Sequence, residues 1–236
     1  MDIKILFDKD AIDSKFKTGW GFSAFIDEVL FDTGEDGDFL LSNLKVANID
    51  IDSIKKIVIS HDHWDHTGGL WDILKIKNDL EVYGCRGFSS ETKNKIKNSG
   101  AKLVEINRQM QIMPGVYTSG QVLGFYKAAQ IAEQALIVKS EKGLVVITGC
   151  SHPGIVKMIE SVRNNFRKED IYLVLGGFHL MNKEKREIKL IAEKLKELKI
   201  GSVGPTHCTG YEAQQIFKET FGDKYISVKV GKVVSV

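Results

Sequence analysis

Short apolar runs rich in β-branched residues recur along the chain and predict β-strands. They fall into two series on either side of a segment, residues 119–134, whose pattern is hard to assign. The first series predicts strands at residues 3–7, 21–26, 29–31, 57–60, 80–83, 103–106 and 116–118. The second predicts strands at residues 135–139, 143–148, 171–175, 225–230 and 232–236. The segment between the series is interpreted as a loop leaning over a site.

The sequence predicts helices between these strands, at residues 38–44, 67–77, 153–166, 182–198 and 212–219, and a polar helix candidate at 89–98. The clearest is 182–198, where Ile188, Ile191, Leu195 and Leu198 form one apolar stripe among lysines and glutamates. Two rounds of strands with interspersed helices predict a layered α/β protein with sheets inside and helices outside. Because no Gly/Ser linker intervenes, we expect one domain, 1–236, with pseudo-symmetric halves of about 1–134 and 135–236 that meet at a cleft.

Composition and charge restrict the possible binding partners more than they restrict the possible folds. Hydrophobic residues make up 43% and charged residues 27% of the 236, an ordinary globular balance. The net charge is only +2 and the charges are interspersed, which argues against a nucleic-acid partner. No apolar run reaches membrane-spanning length and the start lacks a signal peptide, so we expect a cytoplasmic protein with a small-molecule substrate and no membrane partner. Nothing in the sequence indicates an oligomeric state.

The histidines carry the candidate chemistry. Each of the six lies where a predicted strand ends in a loop, and none lies in a predicted helix interior: His61, His63, His66, His152, His179 and His207. The run from His61 to His66 packs three imidazoles and two carboxylates into six residues, which is costly to bury unless the groups are paired. Residues two apart in an extended loop point the same way, so His61 and His63 would bind one metal while Asp65 and His66 bind a second.

This run, within Ser60-His61-Asp62-His63-Trp64-Asp65-His66-Thr67-Gly68-Gly69-Leu70, resembles the HxHxDH signature of the metallo-β-lactamase superfamily. Residues 21–25 and 30–34 are similar to the early hairpin of that superfamily. The resemblance implies a four-layer αβ/βα fold, in which two mixed β-sheets are sandwiched between outer helices. It also implies that Asp32 supports the metal loop from behind; the alternative is a simple turn residue before Thr33-Gly34.

The same resemblance implies the metal ligands. His61, His63 and His152 would bind one of two divalent ions, and Asp65, His66 and His207 the other. Zinc is expected first, with iron or manganese as alternatives. Two competing interpretations stay open: His152 as a helix-start residue before Pro153, and His207 as a surface-loop residue.

At one position this sequence has a cysteine where the superfamily usually has a different residue. Its hydrolases usually carry a metal-bridging aspartate after a strand like 144–149, but Cys150 stands there. Cys150 is either a thiolate ligand or a small buried residue, and Cys208 is interpreted as a packing residue. Since the three cysteines are an odd number and widely spaced, a disulfide framework is not expected.

Residues 148–152, 176–180 and 206–210 look like a subgroup of the superfamily related to an archaeal dihydropterin synthase. Three functions follow as hypotheses. The first is a metal-dependent hydrolase that uses activated water on a phosphoester, thioester or related substrate. The second is a transferase that displaces diphosphate from a hydroxymethyl-dihydropterin diphosphate, and the third is a non-enzymatic metal-binding or redox-responsive protein.

Four residues are candidates for contact with the substrate. Asp65 and His179 are the candidate catalytic residues, with His179 donating to an oxyanion or phosphate or else making a structural hydrogen bond. Phe125 and Tyr126 would stack on a flat, pterin-like ring, or else belong to the core.

Overall fold

The computed structural model describes residues 1–236, which form two compact units. Unit 1 comprises Met1–Asn107 and Lys229–Val236, and unit 2 comprises Arg108–Val228. The predicted halves divide at about residue 134, whereas the units divide after Asn107 and the C-terminal residues belong to unit 1. The single-domain organisation stays a prediction.

Fifteen strands and seven α-helices make up the two units. The strands are β1 Asp2–Phe7, β2 Ser23–Ile26, β3 Val29–Phe31, β4 Lys56–Val58, β5 Glu81–Cys85, β6 Lys102–Ile106, β7 Met110–Met113, β8 Val116–Thr118, β9 Val122–Tyr126, β10 Ala129–Glu133, β11 Leu136–Ser140, β12 Gly143–Thr148, β13 Ile171–Gly177, β14 Ser202–Thr206 and β15 Val233–Ser235. The helices are α1 Gly37–Val46, α2 Trp64–Thr67, α3 Leu70–Ile76, α4 Ser90–Asn98, α5 Ile155–Asn165, α6 Lys185–Glu197 and α7 Tyr211–Phe221.

Each unit is built on one mixed sheet. In unit 1 the strand order is β15-β1-β2-β3-β4-β5-β6, antiparallel from β15 to β3 and parallel from β3 to β6. In unit 2 the order is β14-β13-β12-β11-β8-β7, with β12, β13 and β14 parallel and the other pairings antiparallel. Side chains at the carboxyl ends of neighbouring parallel strands therefore lie together within each unit.

Amphipathic helices cover the sheets because each has one apolar face to bury. In unit 2 the buried face of α6, with Ile188, Ala192 and Leu195, joins the apolar cluster that includes Val146 of β12 and Val174 of β13. Leu190, on the opposite face of α6, is exposed. In unit 1, Asp36 caps α1 by accepting from Phe39 N (2.9 Å).

The segment 119–134 is not the predicted loop. It holds the hairpin of β9 and β10, which pair antiparallel from Ala129–Tyr126 to Glu133–Val122. Lys127 and Ala128 both have positive φ, 45° and 65°, as the two central residues of a type I′ hairpin turn require. Asn-Gly or Asp-Gly usually marks such a turn, and the Lys-Ala pair gives no such signal.

Two other predictions are wrong in detail. Residues 225–230 form no strand, because only single bridges, Val203–Tyr225 and Ala11–Val230, join them to the rest of the chain. The helix predicted at 67–77 begins earlier, at Trp64, and divides at Gly68-Gly69 into α2 and α3. His66 therefore lies in a short helix rather than in a loop. None of the seven helices combines the length and apolarity that a bilayer crossing needs.

Candidate metal centre

The first ligand cluster follows β4 in unit 1. His61, His63 and Asp65 bring their ligand atoms within 4.8 Å of one another. The rings of His61 and His63 are 4.8 Å apart, as the extended backbone before α2 predicts for residues two apart. His61 and Asp65 are buried and His63 is half-buried. Two imidazoles and a carboxylate at this spacing fit a divalent ion of the zinc, iron or manganese type.

His66 joins this cluster from α2. Its ring centroid is 4.2 Å from that of His61, and its Nε2 is 3.6 Å from Asp65 Oδ2. Both His66 and His61 are fully buried. All four predicted ligands of the first half therefore lie together.

Asp32 anchors the cluster from behind. Its fully buried carboxylate accepts from Ser60 N (2.6 Å) and Ser60 Oγ (2.7 Å), and its Oδ2 is 2.7 Å from His66 Nδ1. A proton on His66 Nδ1 donated to this carboxylate leaves the Nε2 lone pair for a metal. Burial raises the pKa of Asp32 above its ordinary value, against the opposing effect of His66 and the Ser60 hydrogen bonds.

Ser60 extends this support to a second ligand, and sequence reasoning did not single it out. Its hydroxyl lies 2.8 Å from His61 Nδ1 as well as bonding Asp32. Asp32 thus fixes His66 directly and His61 through Ser60. Gly21 makes the close packing of this loop possible, since a Cβ there would lie 2.2 Å from the Asp65 carbonyl oxygen.

The second ligand cluster lies in unit 2, on the loops that follow the parallel strands β12, β13 and β14. These loops carry Cys150 and His152, then His179, then His207 and Cys208. Ligand atoms of Cys150, His179 and Cys208 lie within 4.8 Å of one another, and the rings of His152 and His179 are 4.5 Å apart. His207 is fully buried in a 3₁₀ turn, which is not the surface-loop setting that the sequence left open.

Glu133 is a second residue of the candidate site that sequence reasoning did not single out. This fully buried carboxylate accepts from the backbone nitrogens of Cys150 (2.8 Å), Ser151 (2.6 Å) and His152 (2.7 Å), and lies 3.0 Å from His152 Nδ1. Burial acts to raise the pKa of Glu133, but His152 and the backbone donors outweigh it and lower the pKa. The available signal was a lone carboxylate at the end of a short apolar run, Ile131-Ala132-Glu133.

Cys208 and His179 interact electrostatically. Burial opposes ionisation of the thiol, but a hydrogen bond with Cys150 and the nearby His207 and His179 lower the pKa of Cys208 well below its ordinary value. The hydrogen bond with Cys208 in turn raises the pKa of His179. The two shifts share one cause, the interaction between the Cys208 thiol and the His179 ring.

The two predicted substrate-binding aromatics differ in setting. The Tyr126 ring packs edge-on at 5.1 Å from His152 and 5.8 Å from His179. Phe125 precedes it in β9, so its side chain points to the opposite face of the hairpin, where it is 70% exposed. The structure therefore brings Tyr126, but not Phe125, to the ligand cluster of unit 2.

Mixed sheets whose strand ends carry clusters of histidine, carboxylate and thiol ligands define a class of α/β metalloproteins. A family model described as the metallo-β-lactamase superfamily matches residues 27–86, which include the whole first cluster. A protein of Methanocaldococcus jannaschii is 31% identical, with 87% of this chain and 83% of the relative covered; it is described as 7,8-dihydropterin-6-methyl-4-(β-D-ribofuranosyl)-aminobenzene-5'-phosphate synthase.

Two further relatives match along nearly the whole chain. An uncharacterised protein of the same organism is 31% identical, covering 99% of this chain and 100% of the relative. A crystal structure described as a metal-dependent hydrolase of the β-lactamase superfamily is 32% identical, with a TM-score of 0.84, covering 100% of this chain and 99% of that one. The chain belongs to the metallo-β-lactamase superfamily and is an enzyme of it, and the predicted α/β fold with two mixed sheets is confirmed.

Proposed function

We propose that the protein is a metal-dependent hydrolase, which activates water for attack on a phosphoester, a thioester or a related small molecule. The convergence of His61, His63 and Asp65 within 4.8 Å, with His66 beside them, carries this proposal. The 32% identical structure described as a metal-dependent hydrolase supports it. A divalent ion in this cluster would supply a Lewis acid and bring the pKa of water towards neutrality.

The protein's own residues would position and deprotonate the reactants. Asp32 and Ser60 hold the rings of His66 and His61 in one orientation, so little reorganisation is needed when a ligand binds. We assign Asp65 the proton-accepting role because its carboxylate lies in the cluster itself. A role for His179 as donor to an oxyanion stays a prediction.

The full ligand assignment also stays a prediction from the superfamily pattern. In it, His61, His63 and His152 bind one ion, and Asp65, His66 and His207 bind the other. Zinc remains the first expectation. Iron and manganese remain the alternatives, because mixed imidazole and carboxylate donors suit them as well. Cys150 is a further proposed ligand.

A second candidate function is transfer to a pterin-like substrate, which the 31% identical synthase favours. In this reaction diphosphate would leave a hydroxymethyl-dihydropterin diphosphate as a nucleophile displaces it. In this proposal Tyr126, which packs against His152 and His179, would stack on the flat ring of the substrate. Phe125 would contribute only from the exposed face of the hairpin.

The deciding experiment compares Asp65→Asn with Asp62→Asn in the metal-loaded protein. Asp62 belongs to the same run, but its carboxylate accepts from Ser89 N (2.8 Å) and is not in the metal-ligand group of His61, His63 and Asp65. Turnover is measured on a panel of phosphodiesters, phosphomonoesters, thioesters and lactones, beside binding of a dihydropterin. We expect Asp65→Asn to lose about a hundredfold or more in rate while Asp62→Asn keeps its activity.

Three outcomes separate the hypotheses. Ester or thioester turnover that depends on Asp65 supports the hydrolase. Dihydropterin binding with no hydrolysis on the panel overturns the hydrolase and leaves the transferase. Bound metal with neither turnover nor pterin binding overturns both and favours the non-enzymatic hypothesis.

A further inference from the structure

Two cysteines and a histidine meet in unit 2, on three separate loops. Cys150 follows β12, His179 follows β13 and Cys208 follows β14, and their ligand atoms lie within 4.8 Å of one another. Both thiols are almost completely buried, at 3% and 4% exposure. Cys208 Sγ also lies 3.6 Å from the carbonyl oxygen of Cys150. The parallel strand ends therefore bring together three soft or borderline donors from distant parts of the sequence.

The backbone around this cluster is held in unfavourable conformations. Ser151, His179 and His207 are non-glycine residues with φ of 63°, 52° and 50°, one on each of the three loops. Such strain persists only where the surroundings enforce it, and it concentrates at ligand-binding and catalytic sites. At Gly177 a Cβ would lie 2.7 Å from Cys208 Sγ and 2.2 Å from the carbonyl oxygen of Gly149, so only glycine allows this approach.

The His179 ring has a buried nitrogen, Nδ1, that makes no hydrogen bond. Zinc–sulfur bonds of about 2.3 Å and zinc–nitrogen bonds of about 2.0 Å put tetrahedral donors roughly 3.5–4 Å apart. The observed spacing of at most 4.8 Å therefore needs a closure of only about 1 Å to reach ideal geometry.

We propose that Cys150, His179 and Cys208 together form a metal site for a thiophilic divalent ion such as Zn²⁺, with its fourth position open. This site shares Cys150 with the ligand set proposed above but uses none of the histidine and aspartate ligands that the superfamily pattern assigns, and it gives Cys208 and His179 a role as ligands. It does not depend on which reaction the protein performs. Thiolate donors select zinc, cadmium or cobalt over magnesium and calcium, so the site would also discriminate between metals.

Cobalt(II) titration of the reduced protein tests the proposal, because thiolate ligation gives a near-ultraviolet charge-transfer band that imidazole and carboxylate ligands do not give. We expect this band in the unmodified protein. Cys150→Ser and Cys208→Ser should each lose about half of it, since each thiolate contributes separately. Cys85→Ser is the matched control, because Cys85 is also a buried free thiol but lies in unit 1. His179→Gln should keep the band and weaken binding by about tenfold or more in competition with a chelator.

Several results would overturn the proposal: no charge-transfer band although cobalt is bound, a band unchanged in Cys208→Ser, or a Cys150–Cys208 disulfide that persists under reducing conditions. If a serine variant fails to fold, ¹¹³Cd NMR of the unmodified protein replaces it. A chemical shift typical of two sulfur ligands supports the site, and a shift typical of one or none refutes it. Because hydrolysis is not the readout, this result is independent of the proposed function.

Discussion

Asp32 in unit 1 and Glu133 in unit 2 are both buried carboxylates that contact a candidate ligand histidine. Each is a fully buried carboxylate within 3.0 Å of a histidine Nδ1, His66 in one case and His152 in the other. Their pKa values shift in opposite directions, upward for Asp32 and downward for Glu133. Each carboxylate also accepts further hydrogen bonds: Glu133 from three backbone N–H groups, and Asp32 from the backbone N–H and the hydroxyl of Ser60.

Replacing Asp32 with Asn should weaken metal binding in unit 1 before it unfolds the protein. The amide nitrogen of Asn cannot accept. At the Oδ2 position it leaves both Ser60 Oγ and His66 Nδ1 without this acceptor, and at the Oδ1 position it leaves Ser60 N without one. We expect a loss of about 1–3 kcal/mol in the free energy of unfolding and roughly 10- to 100-fold in metal affinity. Denaturant unfolding and chelator competition measure the two effects.

The matched control for this substitution is Asp36→Asn. Asp36 caps α1 on the surface, and Asn caps a helix equally well, so neither stability nor metal affinity should change. Unchanged metal affinity in Asp32→Asn would show that the carboxylate does not orient a ligand.

Glu133→Gln should destabilise unit 2 by more than a surface carboxylate substitution does. The side-chain amide keeps one acceptor oxygen for four donors and places an NH₂ group against backbone N–H groups. We expect a loss of about 2–3 kcal/mol, measured by denaturant unfolding. Glu169→Gln is the control, because Glu169 forms an exposed ion pair with Lys139, and such surface pairs add little to stability. Equal effects of the two substitutions would contradict a structural role for Glu133.

At the scale of elements, a prediction follows from the close packing at the end of β13, where Gly177 lies against the loop after β12. Gly177→Ala would put a Cβ within 2.2 Å of Gly149 O, at the end of β13. The loops must then move apart, and we expect a loss of about 3 kcal/mol or more in the free energy of unfolding, together with weaker cobalt binding. In Gly222→Ala the new Cβ meets nothing within 4 Å, so only the cost of its φ of 53°, about 1 kcal/mol, should appear. A similar small loss in both variants would show that the loops are not tightly packed.

Elements whose pattern is local were predictable, and those fixed by distant partners were not. The apolar stripe of α6 and the runs of β12 and β13 indicate their structure without outside information. The β9–β10 hairpin was missed because Lys127-Ala128 adopts left-handed backbone without glycine or asparagine. In the site, the compact run from His61 to His66 is recognisable from the sequence alone. Glu133 and His152 are separated in the sequence by β11 and β12, so their contact depends on how these strands pair.

For the whole molecule, the burial of so many candidate metal ligands predicts that metal binding raises the free energy of unfolding. His61, His66 and His207 are fully buried, as are Asp32 and Glu133. A metal that binds only the folded state stabilises it by about 2.7 kcal/mol at a free concentration one hundred times Kd. For a chain of this length that corresponds to a rise in Tm of roughly 5–10 °C.

Thermal unfolding of chelator-stripped protein, with and without added Zn²⁺, measures this linkage. We expect Tm to rise with the logarithm of the zinc concentration above Kd, because binding acts on the folded state by mass action. His63→Ala should lose part of the rise, since it removes a ligand that is only half-buried and leaves little cavity. Asp62→Asn keeps the ligand set and should follow the unmodified protein. A Tm that stays constant while zinc is bound would mean that the metal binds the unfolded chain equally well, so the folded clusters would not be pre-formed metal sites.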